Sequence, residues 1–188
     1  MKGTLLKRTL IFGGARSGKS AYAEQLAIAS GKPVVYLATA QAGDAEMQAR
    51  IAHHQARRPA QWQTHECPIN LAQSIAQLSS ADNLILLDCL TLWLSNLLFF
   101  ETHEYPEIGS ITAPAEFTLQ RAALLQVLQD LPGEIIMVSN EVGMGIIPQG
   151  AISRWFVDEA GRLNQAIAAQ CEQVSWVAAG LPLHLKGG

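Results

Sequence analysis

The run Gly13-Gly14-Ala15-Arg16-Ser17-Gly18-Lys19-Ser20 has the spacing G-x-x-x-x-G-K-S, and its residue types suit the binding of a polyphosphate. A glycine-rich turn followed by a helix points backbone N–H groups and a positive helix end at an anion. Lys19 would reach the β- and γ-phosphates as the catalytic charge, and the Ser20 hydroxyl would ligate Mg²⁺. A chance match in a glycine-rich turn is the competing explanation, and the flanks argue against it. Thr9-Leu10-Ile11-Phe12 reads as a buried strand, and Ala21-Tyr22-Ala23-Glu24-Gln25-Leu26-Ala27 opens a helix, which is the context the motif requires. The chain is expected to bind a nucleoside triphosphate through Gly13–Ser20.

Other candidates fall at the ends of predicted strands, where open parallel sheets gather their ligands. Asp88 follows Leu84-Ile85-Leu86-Leu87, the place of an acid that holds Mg²⁺ directly or through water. An N-cap for the helix that begins near Cys89 is its alternative role. Thr39 ends the strand Pro33–Ala38 and is either a nucleotide contact or a cap. Asn140 and Glu141 precede Val142-Gly143-Met144-Gly145, a segment that is either a substrate contact or a structural turn.

Residues 44–58 hold two adjacent histidines. Asp44 is a good N-cap for a helix-forming tract in which Met47, Ile51 and His54 share one face. His53 lies on another face, between Arg50 and Arg57. Those two cations would attract a phosphate and keep the His53 ring neutral and nucleophilic near pH 7. Adjacent histidines do not share a helical face, so a metal pair is not expected. A polar helix surface with two incidental histidines is the plain alternative.

The elements that must position these groups alternate. Strands are expected at Thr9–Phe12, Pro33–Ala38, Asn83–Asp88, Glu134–Ser139 and Gln173–Ala179. Helices are expected over 115–131, ended by Pro132-Gly133, and along the stripe Phe156, Ala160, Leu163, Ile167. Near-continuous apolar strands imply a parallel sheet covered on both faces. The fold class is therefore α/β, a P-loop NTPase-like, mostly parallel sheet flanked by helices, with residues 1–188 as one catalytic domain. Residues 101–114 show no period and read as a loop. Hydrophobic residues make up 49% of the 188 and charged ones 15%, an interior-rich chain suited to burial in an oligomer. A net charge of −3 argues against a nucleic-acid partner. Cys67, Cys89 and Cys171 lack metal or disulfide spacing and read as packed thiols. The chain shows neither a signal-peptide core nor a membrane-spanning run, which points to a cytoplasmic protein.

Taken together, several segments resemble one family: Gly13–Ser20, Tyr36-Leu37-Ala38-Thr39, Glu46-Met47 with Arg50-Ile51 and His53-His54, Arg58-Pro59 with Trp62, and Asp88-Cys89-Leu90-Thr91 with Asn96-Leu97-Leu98. Asn140-Glu141-Val142-Gly143-Met144-Gly145 with Pro148, and Arg154, Phe156, Asp158, Gly161, Asn164 and Gln165, extend it over nearly the whole chain. This pattern resembles the bifunctional adenosylcobinamide kinase/adenosylcobinamide-phosphate guanylyltransferases of cobalamin biosynthesis.

The resemblance implies two reactions. ATP or GTP phosphorylates the aminopropanol hydroxyl of adenosylcobinamide. GTP then donates GMP to that phosphate, giving adenosylcobinamide-GDP and pyrophosphate. The family's guanylyl-carrying histidine falls on His53, while His54, Gln55, Ala56, Arg57, Glu66 and Asp88 lie around the guanine nucleotide. A homotrimer and a corrinoid partner are implied in the same way. The chain departs from the family in a longer N-terminus, in Asp rather than Glu at position 88, and in residues 100–114. A small-molecule P-loop kinase without guanylyl transfer and a non-catalytic nucleotide switch are the competing functions.

Overall fold

The computed structural model describes residues 7–41, 58–100 and 104–187. Its first strand, β1 (Arg8–Gly13), forms because a short apolar, β-branched stretch ends at paired glycines that release the chain into the phosphate loop. Helix α1 (Lys19–Ala29) leads from that loop to β2 (Val34–Ala38). Next come β3 (Gln63–Glu66), α2 (Leu71–Leu78), β4 (Leu84–Asp88) and α3 (Leu90–Leu98). The chain continues through α4 (Ala115–Val127), β5 (Glu134–Asn140) and α5 (Ala151–Gln170), and finishes with β6 (Gln173–Ala178) and β7 (Leu181–Lys186).

The seven strands form one sheet in the order β3-β2-β4-β5-β1-β6-β7. All neighbours are parallel except β7, which turns back against β6. Alternate residues of the apolar strands feed opposite faces, as the strand period of two demands. Leu37, Ile85, Leu87, Ile135 and Met137 pack under α2, α3, α4 and α5, against Ile75, Trp93, Leu124 and Leu163. Ile11, Tyr36, Leu86, Ile136 and Val138 face the other way, where Ala23 and Ala27 of α1 come close to the sheet. This two-sided burial explains why the strands read as continuous hydrophobic runs.

The expected strands are present with small shifts of boundary, and the stripe Phe156, Ala160, Leu163, Ile167 does face the core from α5. Two edge strands were not expected. All four residues of β3 are exposed, so it carries no apolar signal, and β7 contains Pro182, which marks an edge. The helix expected over 115–131 stops at Val127. The tract around His53 and His54, with Asp44, Met47, Arg50, Ile51, Gln55, Ala56 and Arg57, lies outside the described residues. Among the described residues no helix is long and apolar enough to cross a membrane.

Candidate nucleotide site

The parallel register brings the chemistry-bearing residues to one edge. Ala38 pairs with Asp88 on one side and with Glu66 on the other, while Gly13 pairs with Asn140. Thr39 follows Ala38 directly. The structure thus gathers Gly13–Ser20, Thr39, Asp88, Asn140 and Glu141 at the carboxyl ends of the strands, as the sequence predicts, and adds Glu66 at the end of the unexpected strand β3.

The phosphate loop is held from within and from behind. Ser17 N donates to Gly14 O at 3.2 Å, and Lys19 Nζ donates to Gly14 O at 3.0 Å. Arg16 and Gly18 both adopt left-handed backbone, at φ 56° and 95°, which curls the loop around its centre. Behind it lies the β6–β7 turn. Gly180 N donates to Ser17 O at 2.8 Å, and a Cβ on Gly18 would sit 2.9 Å from Gly180 Cα. A Cβ on Gly13 would lie 2.2 Å from Val177 O, so β1 and β6 meet with no room for a side chain there. Ala15 and Arg16 form the exposed tip.

Lys19 is buried, and burial lowers its pKa, while the charges of Cys89 and Asp88 act to raise it. Asp88 therefore lies on the phosphate-loop side of the edge. Its alternative role as an N-cap is not realised: Cys89 occupies the N-cap position of α3 without a side-chain cap. The Asp88 carboxylate instead accepts a hydrogen bond from Tyr36 Oη at 3.1 Å. The Ser17 hydroxyl is buried without a hydrogen-bond partner among the described residues, an orphan inside the loop that fits an incoming phosphate oxygen.

Ser20 and Asp88 carry the oxygen donors that would suit a hard cation such as Mg²⁺. The described residues hold no cluster of three or more His, Cys, Asp or Glu able to grip a metal.

Thr39 has a different occupation. Its Oγ1 accepts from Cys89 N and donates to Cys89 O, both at 2.8 Å, and its amide donates to Asp88 O at 3.2 Å. With its hydroxyl committed in this way, Thr39 locks the ends of β2 and β4 together and sets the direction of the chain after Asp88. Asn96 closes the same joint, donating to Thr39 O at 2.8 Å and Pro68 O at 3.1 Å. Asn140 donates to Thr91 Oγ1 at 2.7 Å, and Glu141 Oε1 accepts from Gly143 N at 2.6 Å. At these two positions the structure shows turn and tether contacts.

Sequence reasoning missed Tyr36 as a contact of Asp88. Only the β2–β4 pairing joins these residues, so no local pattern could have indicated it.

Comparison with known proteins supports the picture. The pattern of the family described as cobinamide kinase / cobinamide phosphate guanyltransferase matches residues 9–185. The bifunctional adenosylcobalamin biosynthesis protein CobP of Pseudomonas aeruginosa is 53% identical over 180 residues, covering 96% of this chain and 98% of the relative. The corresponding CobU proteins of Salmonella typhimurium and Escherichia coli are 40% and 38% identical, each over 94% of this chain and 98% of the relative. Among solved structures, the ATPase EscN of an enteropathogenic E. coli type III secretion system superposes with a TM-score of 0.51 at 12% identity. That likeness spans 92% of this chain and 43% of EscN, and it is one of fold alone. The chain belongs to the cobinamide kinase / cobinamide phosphate guanyltransferase family.

Proposed function

We propose that the chain performs both reactions of its family at the carboxyl edge of the sheet, with His53 as the guanylyl carrier. The observation that carries this reading is the complete phosphate cradle, Gly13–Ser20, with Asp88 close enough for its charge to act on Lys19. In the kinase step the aminopropanol hydroxyl of adenosylcobinamide attacks the γ-phosphorus. The bond from that phosphorus to the β-bridging oxygen breaks, the nucleoside diphosphate leaves, and the hydroxyl proton passes to solvent. Lys19 and the loop amides hold the phosphates and offset developing charge, work that dominates phosphoryl transfer. A magnesium ion held by Ser20, Asp88 and the phosphates would supply further neutralisation.

In the second reaction a ring nitrogen of His53 attacks the α-phosphorus of GTP and pyrophosphate leaves. The phosphate oxygen of adenosylcobinamide phosphate then displaces the histidine, breaking the N–P bond and releasing adenosylcobinamide-GDP. A covalent intermediate divides one difficult transfer into two displacements. Arg50 and Arg57 stabilise the α-phosphate at His53, while His54, Gln55, Ala56, Arg57 and Glu66 surround the guanine nucleotide. Glu66 fits that role by its place at the edge beside Ala38. Thr39 contributes by holding the strand ends. The same reading makes the protein a cytoplasmic homotrimer of single-domain subunits, with the corrinoid as soluble acceptor.

The test is incubation with Mg²⁺ and GTP labelled at the α-phosphate, followed by denaturation. Acid-labile, alkali-stable label that is lost in His53→Ala and kept in His54→Ala is the expected result. No label despite GTP binding would leave a plain P-loop kinase.

A further inference from the structure

The sequence singled out Arg58, Pro59 and Trp62 without giving them work, and the structure places Arg58 and Trp62 around one ring. Tyr36, in the middle of β2, is 2% exposed. The Arg58 guanidinium carbon lies 3.4 Å from the centroid of the Tyr36 ring. Trp62 stacks on the same ring at 6.4 Å between centroids and 24° between planes. Residues 58–62 close on themselves, with Trp62 N donating to Pro59 O at 3.0 Å. At its other end the Tyr36 hydroxyl donates to Asp88 Oδ2 at 3.1 Å.

Each contact has a physical consequence. A guanidinium over a tyrosine face is held by the ring quadrupole. Arg58 Nε is buried with no hydrogen-bond partner among the described residues, which leaves the ring as the contact that seats that end of the group. Among the described residues the hydroxyl has one partner in reach, the carboxylate at the end of the neighbouring strand, and donates to it. It thereby fixes one oxygen of Asp88, Oδ2, and leaves the other for a ligand. Groups that orient a ligating carboxylate in this way matter nearly as much as the carboxylate itself.

We infer that Tyr36 is a positioning residue shared by the two reactions: its hydroxyl orients Asp88 at the nucleotide, and its ring, clasped by Arg58 and Trp62, anchors the chain just after His53 and Arg57. This rests on the roles proposed above for Asp88 and His53. The stack separates the functions by chemistry, since Tyr36→Phe removes the hydroxyl and keeps the ring, while Arg58→Lys keeps the charge and loses the planar stack.

The experiment compares wild type, Asp88→Asn, Tyr36→Phe and Arg58→Lys by two readouts. One is the Mg²⁺ dependence of binding of a fluorescent GTP analogue, and the other is the rate of covalent labelling by α-labelled GTP. Asp88→Asn and Tyr36→Phe are each expected to raise the half-saturating Mg²⁺ about tenfold. At saturating Mg²⁺, Tyr36→Phe should lose less of its labelling rate than Arg58→Lys does, because the clasp survives. Arg58→Lys should slow labelling about tenfold with an unaltered Mg²⁺ response. A shift in Asp88→Asn without one in Tyr36→Phe overturns the hydroxyl's role, and wild-type labelling by Arg58→Lys overturns the clasp's. No shift in Asp88→Asn, or no label on wild type, instead refutes the roles of Asp88 or His53, and the inference falls with them. Thermal melts of each variant show whether a loss merely reflects unfolding.

Discussion

Replacing Gly13 by alanine tests how tightly the phosphate loop is built into the sheet. The added Cβ would lie 2.2 Å from Val177 O, 3.2 Å from Val177 C and 2.8 Å from Ser17 Oγ. An ordinary carbon–oxygen contact is about 3.3 Å, so the carbonyl is roughly 1 Å too close. The obstacle is backbone, so no rotamer change relieves it. Either β1 or β6 must shift, next to the Phe12–Trp176 pair that joins them. Overpacking a close-packed interior costs about 1–3 kcal/mol, and a rigid neighbour places this case near 3 kcal/mol. For a domain of this size that lowers Tm by about 6–12 °C. The control is Gly14→Ala, whose Cβ meets nothing within 4 Å and whose stability should stay within about 0.5 kcal/mol of wild type. Urea unfolding and thermal melts followed by circular dichroism, both without nucleotide, measure the difference. A Gly13→Ala protein as stable as Gly14→Ala would show that β1 and β6 are free to part at Gly13.

Lys19→Met should abolish nucleotide binding yet raise the melting temperature of the nucleotide-free protein. Burial lowers the pKa of Lys19, so the folded state bears a penalty for its charge that is fully present below the folded pKa and relieved as pH rises past the unfolded one. Paired melts and binding titrations check both halves. Glu172 receives Arg8 N at 2.8 Å and Arg8 Nε at 3.3 Å, in an ion pair that also includes Arg8 Nη2. The hydrogen bond from the Arg8 side chain is the main cause of its lowered pKa. Its stabilisation is thus present at neutral pH and lost as pH falls through and below the ordinary carboxylate range. Glu172→Gln should cost about 1 kcal/mol or less at pH 7, because both partners are partly exposed, and should flatten the stability profile on the acid side. The three cysteines are buried and free, and burial pushes Cys89 up to about 11 and Cys171 up to about 12, with Cys67 also raised. Native protein should therefore resist an aromatic disulfide reagent at pH 8, and unfolded protein should release all three thiols.

Features that depend on neighbours in the chain were readable in the sequence. Leu84-Ile85-Leu86-Leu87-Asp88 announces a buried strand ending in an acid, and Gly13–Ser20 announces its loop, because each signal is contained in consecutive residues. Features that depend on pairing were not. Nothing near Thr39 reveals that its hydroxyl is occupied by Cys89, and nothing near Asp88 reveals Tyr36. Strand β3 stayed hidden for another reason. Its residues Gln63, Thr64, His65 and Glu66 are all exposed, and they take up strand geometry because β2 offers an unpaired edge, not because they need burial. His53 was singled out by helical spacing and by the family resemblance together, and spacing alone left an incidental surface histidine equally open.

The turn behind the phosphate loop has a consequence for how the protein is made. The residues that cradle phosphate emerge from the ribosome well before Val177 and Gly180, which back them. Strand β1 also lies between β5 and β6, both of which are translated long after it. A nascent chain holding only the first two strands thus has the letters of a nucleotide site without its walls. Domains gather their structure as the chain lengthens, and here nucleotide cannot serve as an early template for folding. It can reward only a chain whose β6–β7 hairpin has docked, so triphosphate binding reports that this hairpin is in place behind the loop.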